Sequence, residues 1–279
     1  ATVERATPLA ENALGENGNA GRTRMLIEEV KNLVTQAGEL AQQLADGFTL
    51  ETKSDDSFVT NADRAVESFL REHLARLLPE AGFFGEEEGF TNGHARLLWA
   101  IDPIDGTSNY VFGIPLWGVS VALVEDGHIQ MGVISLPVLH ELYWAERGVG
   151  AYLNGRRITA VDSERFTAED VICYASDAVT ADLLNAMPGR PRCFGSAVVK
   201  LAWTAAGRVR GAISLGRLYD LAAGLLLCHE AGCQTRYLSG REWQLEHLLG
   251  GAALREPVLT TPPQTMQAIF RWLHTADRG

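Results

Sequence analysis

The sequence predicts a mixed α/β fold for a chain of 279 residues. Apolar residues near the N-terminal end recur every three or four positions, which is typical of amphipathic helices. Short apolar runs bounded by turn residues follow, and they are typical of strands. The second half then alternates between the two patterns. This length is enough for one large α/β domain or two smaller ones that share an interface.

Two helices are predicted in the first part of the chain. The first runs from Met25 to Leu44, and the second begins near Ala62 and is ended by Pro79. Residues 51–60 between them are predicted to form an exposed loop or a hairpin. Residues 1–23 show no sustained period and are interpreted as a flexible leader, so the folded domain is expected to span 24–279.

Strands are predicted next. Leu97–Ile101 is a continuous apolar run, which indicates burial on both faces. Trp117–Val124, Ile129–Leu136 and Leu142–Ala145 are strand-like, and residues 125–128, with the sequence Glu-Asp-Gly-His, are typical of a hairpin turn. Residues 148–155 are predicted to be a turn-rich edge.

The second half predicts alternating elements. Val171–Ala175 and Ala212–Leu215 are expected to be strands. Ser196–Ala206 is expected to be a helix, and Asp220 is expected to cap a helix that runs through Ala231 and is closed by Gly232. Because no linker is visible, we expect two closely packed halves, about 24–160 and 161–279, with a site between them.

Composition narrows the possible functions. The net charge of −11 argues against nucleic acid as a general partner, because phosphate neutralisation needs a basic surplus. No apolar stretch approaches the roughly 18 residues of a membrane span, and the absence of a basic-then-apolar start predicts a cytoplasmic location.

The four cysteines form no Cys-x-x-Cys pair and are interpreted as structural or free thiols, with a disulfide left open: Cys173, Cys193, Cys228 and Cys233.

The segment 102–110, with the sequence Asp-Pro-Ile-Asp-Gly-Thr-Ser-Asn-Tyr, is the most informative one. Two carboxylates at the end of a buried strand repel each other unless a cation neutralises them, and such oxygen ligands suit Mg²⁺. The Gly-Thr-Ser that follows offers backbone amides and hydroxyls that suit a phosphate. The segment therefore predicts a metal-dependent enzyme that acts on phosphates.

Three other acidic elements are candidates for the same site: Asp63, the triplet Glu86–Glu88 and Asp220. Each has an ordinary interpretation when taken alone. Asp63 suits the first turn of a helix, the triplet suits a solvated loop, and Asp220 suits a helix cap. Asp-Pro and Asp-Gly also form turns. The prediction of one shared site depends on their joint occurrence.

These motifs resemble the inositol monophosphatase family of metal-dependent, lithium-sensitive phosphatases. Residues 102–110 match its first signature, and Gly85-Glu86-Glu87 matches its upstream metal-ligand loop. Residues 218–224, with the sequence Leu-Tyr-Asp-Leu-Ala-Ala-Gly, and the Glu-Ala-Gly at 230–232 match its second signature. The resemblance covers roughly 24–275, and it implies a layered α-β-α-β-α sandwich of the sugar-phosphatase type and a homodimer.

The resemblance also implies roles for single residues. Two to three Mg²⁺ ions are expected, one held by Glu86, Asp102 and the Ile104 carbonyl. A second would be held by Asp102, Asp105 and Asp220, and Glu86 with Glu87 would help to bind a third, weaker ion. Asp63 and the Thr107 hydroxyl would orient and deprotonate the attacking water, without a covalent phospho-enzyme. The substrate-binding set is Glu86, Gly106, Thr107, Gly195, Ser196, Ala197, Ser214 and Asp220.

The sequence predicts the type of reaction more narrowly than it predicts the substrate. Ser214 stands where a Glu is common among inositol phosphatases, and Tyr219 stands where Trp is usual. A small alcohol phosphate such as inositol 1-phosphate is the leading expectation. Histidinol phosphate, 3′-phosphoadenosine 5′-phosphate and fructose 1,6-bisphosphate stay open, and a non-catalytic regulatory protein is a remote alternative. Basic residues considered for a bisphosphate are Arg190, Arg192, Lys200, Arg208, Arg210 and Arg217.

Overall fold

The chain folds into five layers. The computed structural model describes residues 16–53, 57–93, 95–186 and 189–276. Within them, one eight-stranded and one five-stranded sheet enclose a pair of inner helices. Two helices cover the outer face of the large sheet, and two more cover the outer face of the small sheet. The predicted α-β-α-β-α order is therefore confirmed.

The outer helices of the large sheet are α1 (Glu16–Leu44) and α2 (Asn61–Leu77). Because α1 begins at Glu16 rather than at Met25, residues 16–23 of the predicted leader are helical, while residues 1–15 lie outside the described residues. A hairpin of β1 (Leu50–Thr52) and β2 (Phe58–Thr60) joins the two helices. The hairpin alternative predicted for 51–60 is thus confirmed.

The eight-stranded sheet holds most of the predicted strands. In chain order these are β3 (Gly82–Gly85), β4 (Gly89–Thr91), β5 (Leu97–Asp105), β6 (Gly118–Glu125), β7 (His128–Leu136), β8 (Glu141–Glu146), β9 (Gly150–Leu153) and β10 (Arg156–Ile158). Their order across the sheet is β10-β9-β8-β7-β6-β5-β3-β4. The β6–β7 turn has both Asp126 and Gly127 at positive φ, as a tight hairpin requires.

Strand β5 extends four residues beyond its predicted end and carries both aspartates of the first signature. Its pairing with β6 is irregular between Asp102 and Asp105. Pro103 lies in this interval and has no N–H to donate to the ladder. In a regular strand, residues three apart face opposite sides of the sheet, so the irregularity explains how both carboxylates reach one cluster.

The inner helices are α5 (Ala197–Ala205) and α6 (Leu218–Glu230), and both agree with the predicted helices to within a few residues. One detail of the prediction is wrong. The N-cap of α6 is Arg217, and Asp220 lies in the first turn, where its carboxylate accepts a hydrogen bond from the Arg217 backbone N–H. Asp220 therefore pairs with a backbone N–H group from inside the first turn, and it is not the N-cap residue itself.

The five-stranded sheet is less regular, and the sequence analysis assigns only two of its strands. Its strands are β11 (Val171–Tyr174), β12 (Arg190–Arg192), β13 (Gly211–Ser214), β14 (Gln234–Tyr237) and β15 (Val258–Thr261). They lie in the order β12-β11-β13-β15-β14. The remaining helices are α3 (Thr107–Val111), α4 (Ala181–Ala186), α7 (Glu246–Leu249) and α8 (Pro263–Ala276). Among the described helices, none combines the length and the apolar character that crossing a membrane requires.

Candidate active site

Three carboxylates from the two halves meet at the end of β5, two of them buried and the third, that of Asp220, half-buried. Asp102 and Asp105 come from the strand, and Asp220 comes from the first turn of α6. Each offers an oxygen within 4.8 Å of the others. The sequence analysis expected these residues to share a site between the halves, and the structure brings them together.

The electrostatics of this cluster fit a bound cation. Burial raises the pKa of Asp102 well above its ordinary value, and repulsion from Glu86 and Asp105 adds to the effect. Burial likewise raises the pKa of Asp220 to about 7. Asp102 Oδ1 is buried without a hydrogen-bond partner among the described residues. Hard oxygen donors, mutual repulsion and an unpaired buried oxygen together match what Mg²⁺ requires.

Asp105 links the two halves directly. Its carboxylate accepts hydrogen bonds from the Ser196 hydroxyl and from the backbone N–H groups of Ala197 (3.1 Å) and Val198 (3.0 Å). These donors form the N-terminus of α5, where the helix dipole favours a negative charge. Burial nevertheless raises the pKa of Asp105 above its ordinary value. The contact fixes the first signature against the inner helix pair.

Asp63 and Thr107 form a pair of side chains beside the carboxylate cluster. Asp63 Oδ2 accepts hydrogen bonds from the Thr60 backbone N–H (2.7 Å) and the Thr60 hydroxyl (2.6 Å), which completes a capping box at the start of α2. Asp63 Oδ1 lies 3.3 Å from the Thr107 hydroxyl, which is also 3.1 Å from the Ile104 carbonyl oxygen. The hydroxyl has one hydrogen and can donate to only one of them at a time.

Glu86 is engaged by a lysine that the sequence analysis did not identify. Lys53 Nζ, beside the β1–β2 hairpin, lies 2.9 Å from Glu86 Oε1 and 2.7 Å from Glu87 Oε1. Burial raises the pKa of Glu86 to about 7, although the Lys53 ammonium acts in the opposite direction. Glu86 lies outside the 4.8 Å cluster but close enough for its charge to raise the pKa of Asp102.

A second unpredicted residue, Glu67 of α2, holds the loop that carries Glu86. Its carboxylate accepts hydrogen bonds from the backbone N–H groups of Glu87 (2.8 Å) and Glu88 (3.1 Å), and it pairs with Arg71. A Cβ at Gly85 would lie 1.9 Å from Glu67 Oε1, so the close approach requires glycine there. Glu67 lies one helical turn after Asp63, which is the only signal that the sequence offered.

A cavity of about 210 Å³ adjoins the carboxylate cluster on the side of the second half. It is lined by Asp105, Asp220 and the predicted segment Gly195–Ala197, together with Lys200 and the stretch Tyr174–Asp177. Gly106, at a φ of 91°, packs close to Ser196, so the predicted phosphate-binding turn lies at the edge of this region. The cavity is large enough for a small molecule.

Ser214 does not share this environment. Its side chain is fully buried at the end of β13, its hydroxyl has no hydrogen-bond partner among the described residues, and it does not line the cavity. The substrate contact predicted for Ser214 stays a prediction. Tyr219, also singled out in the sequence, packs on Phe84 with ring centroids 5.0 Å apart.

Comparison with known proteins agrees with this arrangement. The model of the inositol monophosphatase family matches residues 23–270. An inositol-1-monophosphatase of Mesorhizobium japonicum is 35% identical over 206 residues, covering 70% of this chain and 77% of that protein. A histidinol-phosphatase of Chlorobaculum parvum is 35% identical, covering 72% of this chain and 81% of that protein. The solved structure of a Thermotoga maritima IMPase superposes with a TM-score of 0.78 at 27% identity, over 90% of this chain and 98% of that one.

Proposed function

The chain belongs to the inositol monophosphatase family and is a phosphoric monoester hydrolase, and we propose that it hydrolyses a small alcohol phosphate with Mg²⁺ held by Asp102, Asp105 and Asp220. One observation supports this metal site above the others. One oxygen from each of the three carboxylates lies within 4.8 Å of the others, Asp102 and Asp105 are buried, and one Asp102 oxygen has no partner among the described residues.

The other proposed ligands of the metal ions lie in the same region. Glu86 and the Ile104 carbonyl would complete the sites for two to three ions, with Asp102 shared between two of them. Bound Mg²⁺ supplies positive charge that lowers the pKa of water and offsets the charge of the phosphate. Lys53 occupies the carboxylates of Glu86 and Glu87 by ion pairing, so a cation at Glu86 would compete with this lysine.

Asp63 and Thr107 are suited to handling the proton of the attacking water. Thr60 holds Asp63 Oδ2, which leaves Oδ1 directed to the Thr107 hydroxyl. Thr107 Oγ1 would accept a hydrogen bond from the water and donate its own hydrogen to Asp63. Burial raises the pKa of Asp63 above its ordinary value, which makes it a better proton acceptor.

The phosphate would lie against the turn that begins α3. Gly106 adopts a left-handed conformation there, and the backbone amides of Gly106 and Thr107 are the proposed donors to the phosphate oxygens. The alcohol part would then extend into the cavity beside Gly195–Ala197. This placement puts the scissile bond between the carboxylate cluster and the Asp63–Thr107 pair.

Several expectations from the sequence stay predictions. Inositol 1-phosphate is the leading substrate, and histidinol phosphate and fructose 1,6-bisphosphate stay open, since relatives named for all three activities match this chain. A nucleoside bisphosphate also stays open. We further propose a homodimer, inhibition by millimolar Li⁺, a cytoplasmic location and no binding of nucleic acid.

The test is phosphate release from a panel of inositol, histidinol, sugar and adenosine phosphates. We expect release from at least one ester with Mg²⁺, loss of release on adding a chelator, and recovery when Mg²⁺ is restored. Equal rates with Mg²⁺ and with excess chelator would contradict the metal-dependent mechanism. No release from any ester with Mg²⁺ would contradict the proposed hydrolysis itself.

A further inference from the structure

Lysine is rare in this chain, and its positions are informative. Of 24 basic residues, only Lys31, Lys53 and Lys200 are lysines, and the others are arginines. Lys31 pairs with Glu28 on α1, away from the acidic cluster. The other two lie at the site, where Lys53 already pairs with Glu86 and Glu87. Lys200 therefore calls for an explanation of its own.

Lys200 is buried without a partner. It lies in the second turn of α5, only 4% of it is exposed, and it lines the cavity of about 210 Å³ beside Asp105 and Asp220. Among the described residues, its ammonium group makes no hydrogen bond or ion pair. A buried cation without a partner is costly, and an anionic ligand in the cavity would offset that cost.

The other basic residues near this segment are already engaged. Their contacts within the protein are Arg190 with Glu169, Arg192 with the Pro191 carbonyl, Arg208 with Glu141, Arg210 with Asp170 and Arg217 with the Gly251 carbonyl. Of the six basic residues that the sequence analysis considered for a second anion, only Lys200 combines burial, an unpaired ammonium group and a place in the cavity.

The nearest charges explain why the lysine faces this cavity. Asp105 and Asp220 attract the ammonium group without forming an ion pair with it. Once divalent cations neutralise these carboxylates, the attraction weakens, and the lysine is left facing the space that the alcohol part of a substrate would fill. Among the described residues that line the cavity, Asp177 at the exposed rim is the one other carboxylate.

We infer that Lys200 binds an anionic group, a carboxylate or a second phosphate, on the alcohol part of the substrate. This inference rests on the proposed function, since it names the class of ester that the same site prefers. Lys200 thereby contributes to substrate specificity from within the cavity, which Ser214 does not line. An ammonium–anion pair in such a protected place is a strong, charge-assisted contact.

The test compares matched esters with and without the second anion. One pair is glycerol 3-phosphate and 3-phosphoglycerate, and the other is fructose 1-phosphate and fructose 1,6-bisphosphate. We expect Lys200→Met to lower the anionic-to-neutral ratio of kcat/KM at least ~10-fold in one pair, mainly through KM, a loss typical of one charge-assisted bond. The pair that responds distinguishes the carboxylate from the phosphate.

Controls separate this inference from the proposed function. Lys200→Gln should reproduce the effect, Lys31→Met should leave the ratios unchanged, and thermal melts should show that all variants fold. Unchanged ratios in both pairs, with the neutral esters still hydrolysed, would overturn only the role of Lys200. An equal loss of kcat/KM on every ester, together with a changed dependence on Mg²⁺ concentration, would also overturn the role of Lys200. The lysine would then act on the metal site. If the wild-type protein hydrolyses none of the four esters nor any of the wider panel, the proposed function fails, and this inference fails with it.

Discussion

At the scale of single residues, Asp102 is the centre of the site. It is 1% exposed, it lies next to two other carboxylates, and one of its oxygens has no partner among the described residues. An ionised carboxylate in this position lowers stability unless a cation compensates it. Asp102 thus lowers the stability of the fold when it is ionised and unpaired, and the proposed metal binding would explain its presence.

Asp102→Asn tests this directly. We expect Mg²⁺-dependent phosphate release to fall at least ~100-fold, because a shared ligand is lost, while the melting temperature without metal stays the same or rises. Phosphate release and thermal melts provide the two measurements. Asp126→Asn, at an exposed hairpin position where Asn tolerates the positive φ, is the matched control. Unchanged turnover of the Asp102 variant would refute its role as a shared ligand.

Thr107→Val removes the hydroxyl that faces Asp63 while keeping the shape of the side chain. We expect kcat to fall ~10²–10⁴-fold, the usual range for lost general-base assistance, with little change in Mg²⁺ affinity. Thr107→Ser keeps the hydroxyl and should restore most of the rate. A Val variant with normal kcat would exclude Thr107 from proton transfer.

The sequence predicted this site well where residues share a recognisable motif. Asp102, Asp105 and Asp220 were expected together, and they meet. Lys53 and Glu67 were missed because their roles depend on which loops the fold brings together, not on local spacing. The burial of Ser214 was not predicted, since a short strand does not reveal which of its faces is buried.

At the scale of elements, α6 packs closely against the large sheet, and this packing helps to position Asp220. A Cβ built on Gly132 of β7 would lie 2.7 Å from the Cα of Ala223, which is backbone and cannot rotate away. The small residues of α6 and the glycine of β7 therefore permit a contact that larger side chains would prevent. We therefore expect this contact to influence the distance from Asp220 to the end of β5.

Gly132→Ala should lower the free energy of unfolding by ~1–3 kcal/mol, the cost of overpacking, and should also weaken Mg²⁺ binding as α6 is displaced. Denaturant unfolding and metal titration provide the measurements. Gly47→Ala is the control, since nothing lies within 4 Å of its added Cβ. Equal stability of the Gly132 variant and the wild-type protein would mean that the helix adjusts without cost.

Elements were predictable where a long period or a continuous apolar run exists, as in α1, α2 and β5–β8. The irregularity at Pro103 was not predicted, although it decides where the two aspartates point. Strands β12, β14 and β15 were missed, because they are short and carry charged or polar residues in place of a continuous apolar run. Such strands acquire their structure from neighbours in the sheet, which a local pattern does not contain.

At the scale of the whole molecule, the site exists only when both halves pack together. Asp102 and Asp105 come from the first half, and Asp220 and the α5 N-terminus come from the second. The carboxylates oppose this packing when ionised, and a bound cation favours it. Metal binding and global stability are therefore expected to be linked through pH.

The sign of this linkage follows from the raised pKa values. Burial raises the pKa of Glu86 from 4.5 to about 7 and that of Asp220 from 3.8 to about 7. The stability that these groups contribute is present in full below their unfolded values and is lost as the pH rises through about 7. In chelator, the free energy of unfolding should thus fall from pH 5 to pH 8. Stabilisation by Mg²⁺ should be larger at pH 8, and equal stabilisation at both values would contradict the linkage.

The most direct test of the metal site is diffraction from crystals soaked in Mn²⁺, with data collected at the manganese absorption edge. We predict an anomalous peak in contact with Asp102, Asp105 and Asp220, and its loss or strong reduction in Asp102→Asn crystals. A saturated wild-type crystal without a peak among these three carboxylates would contradict the assignment.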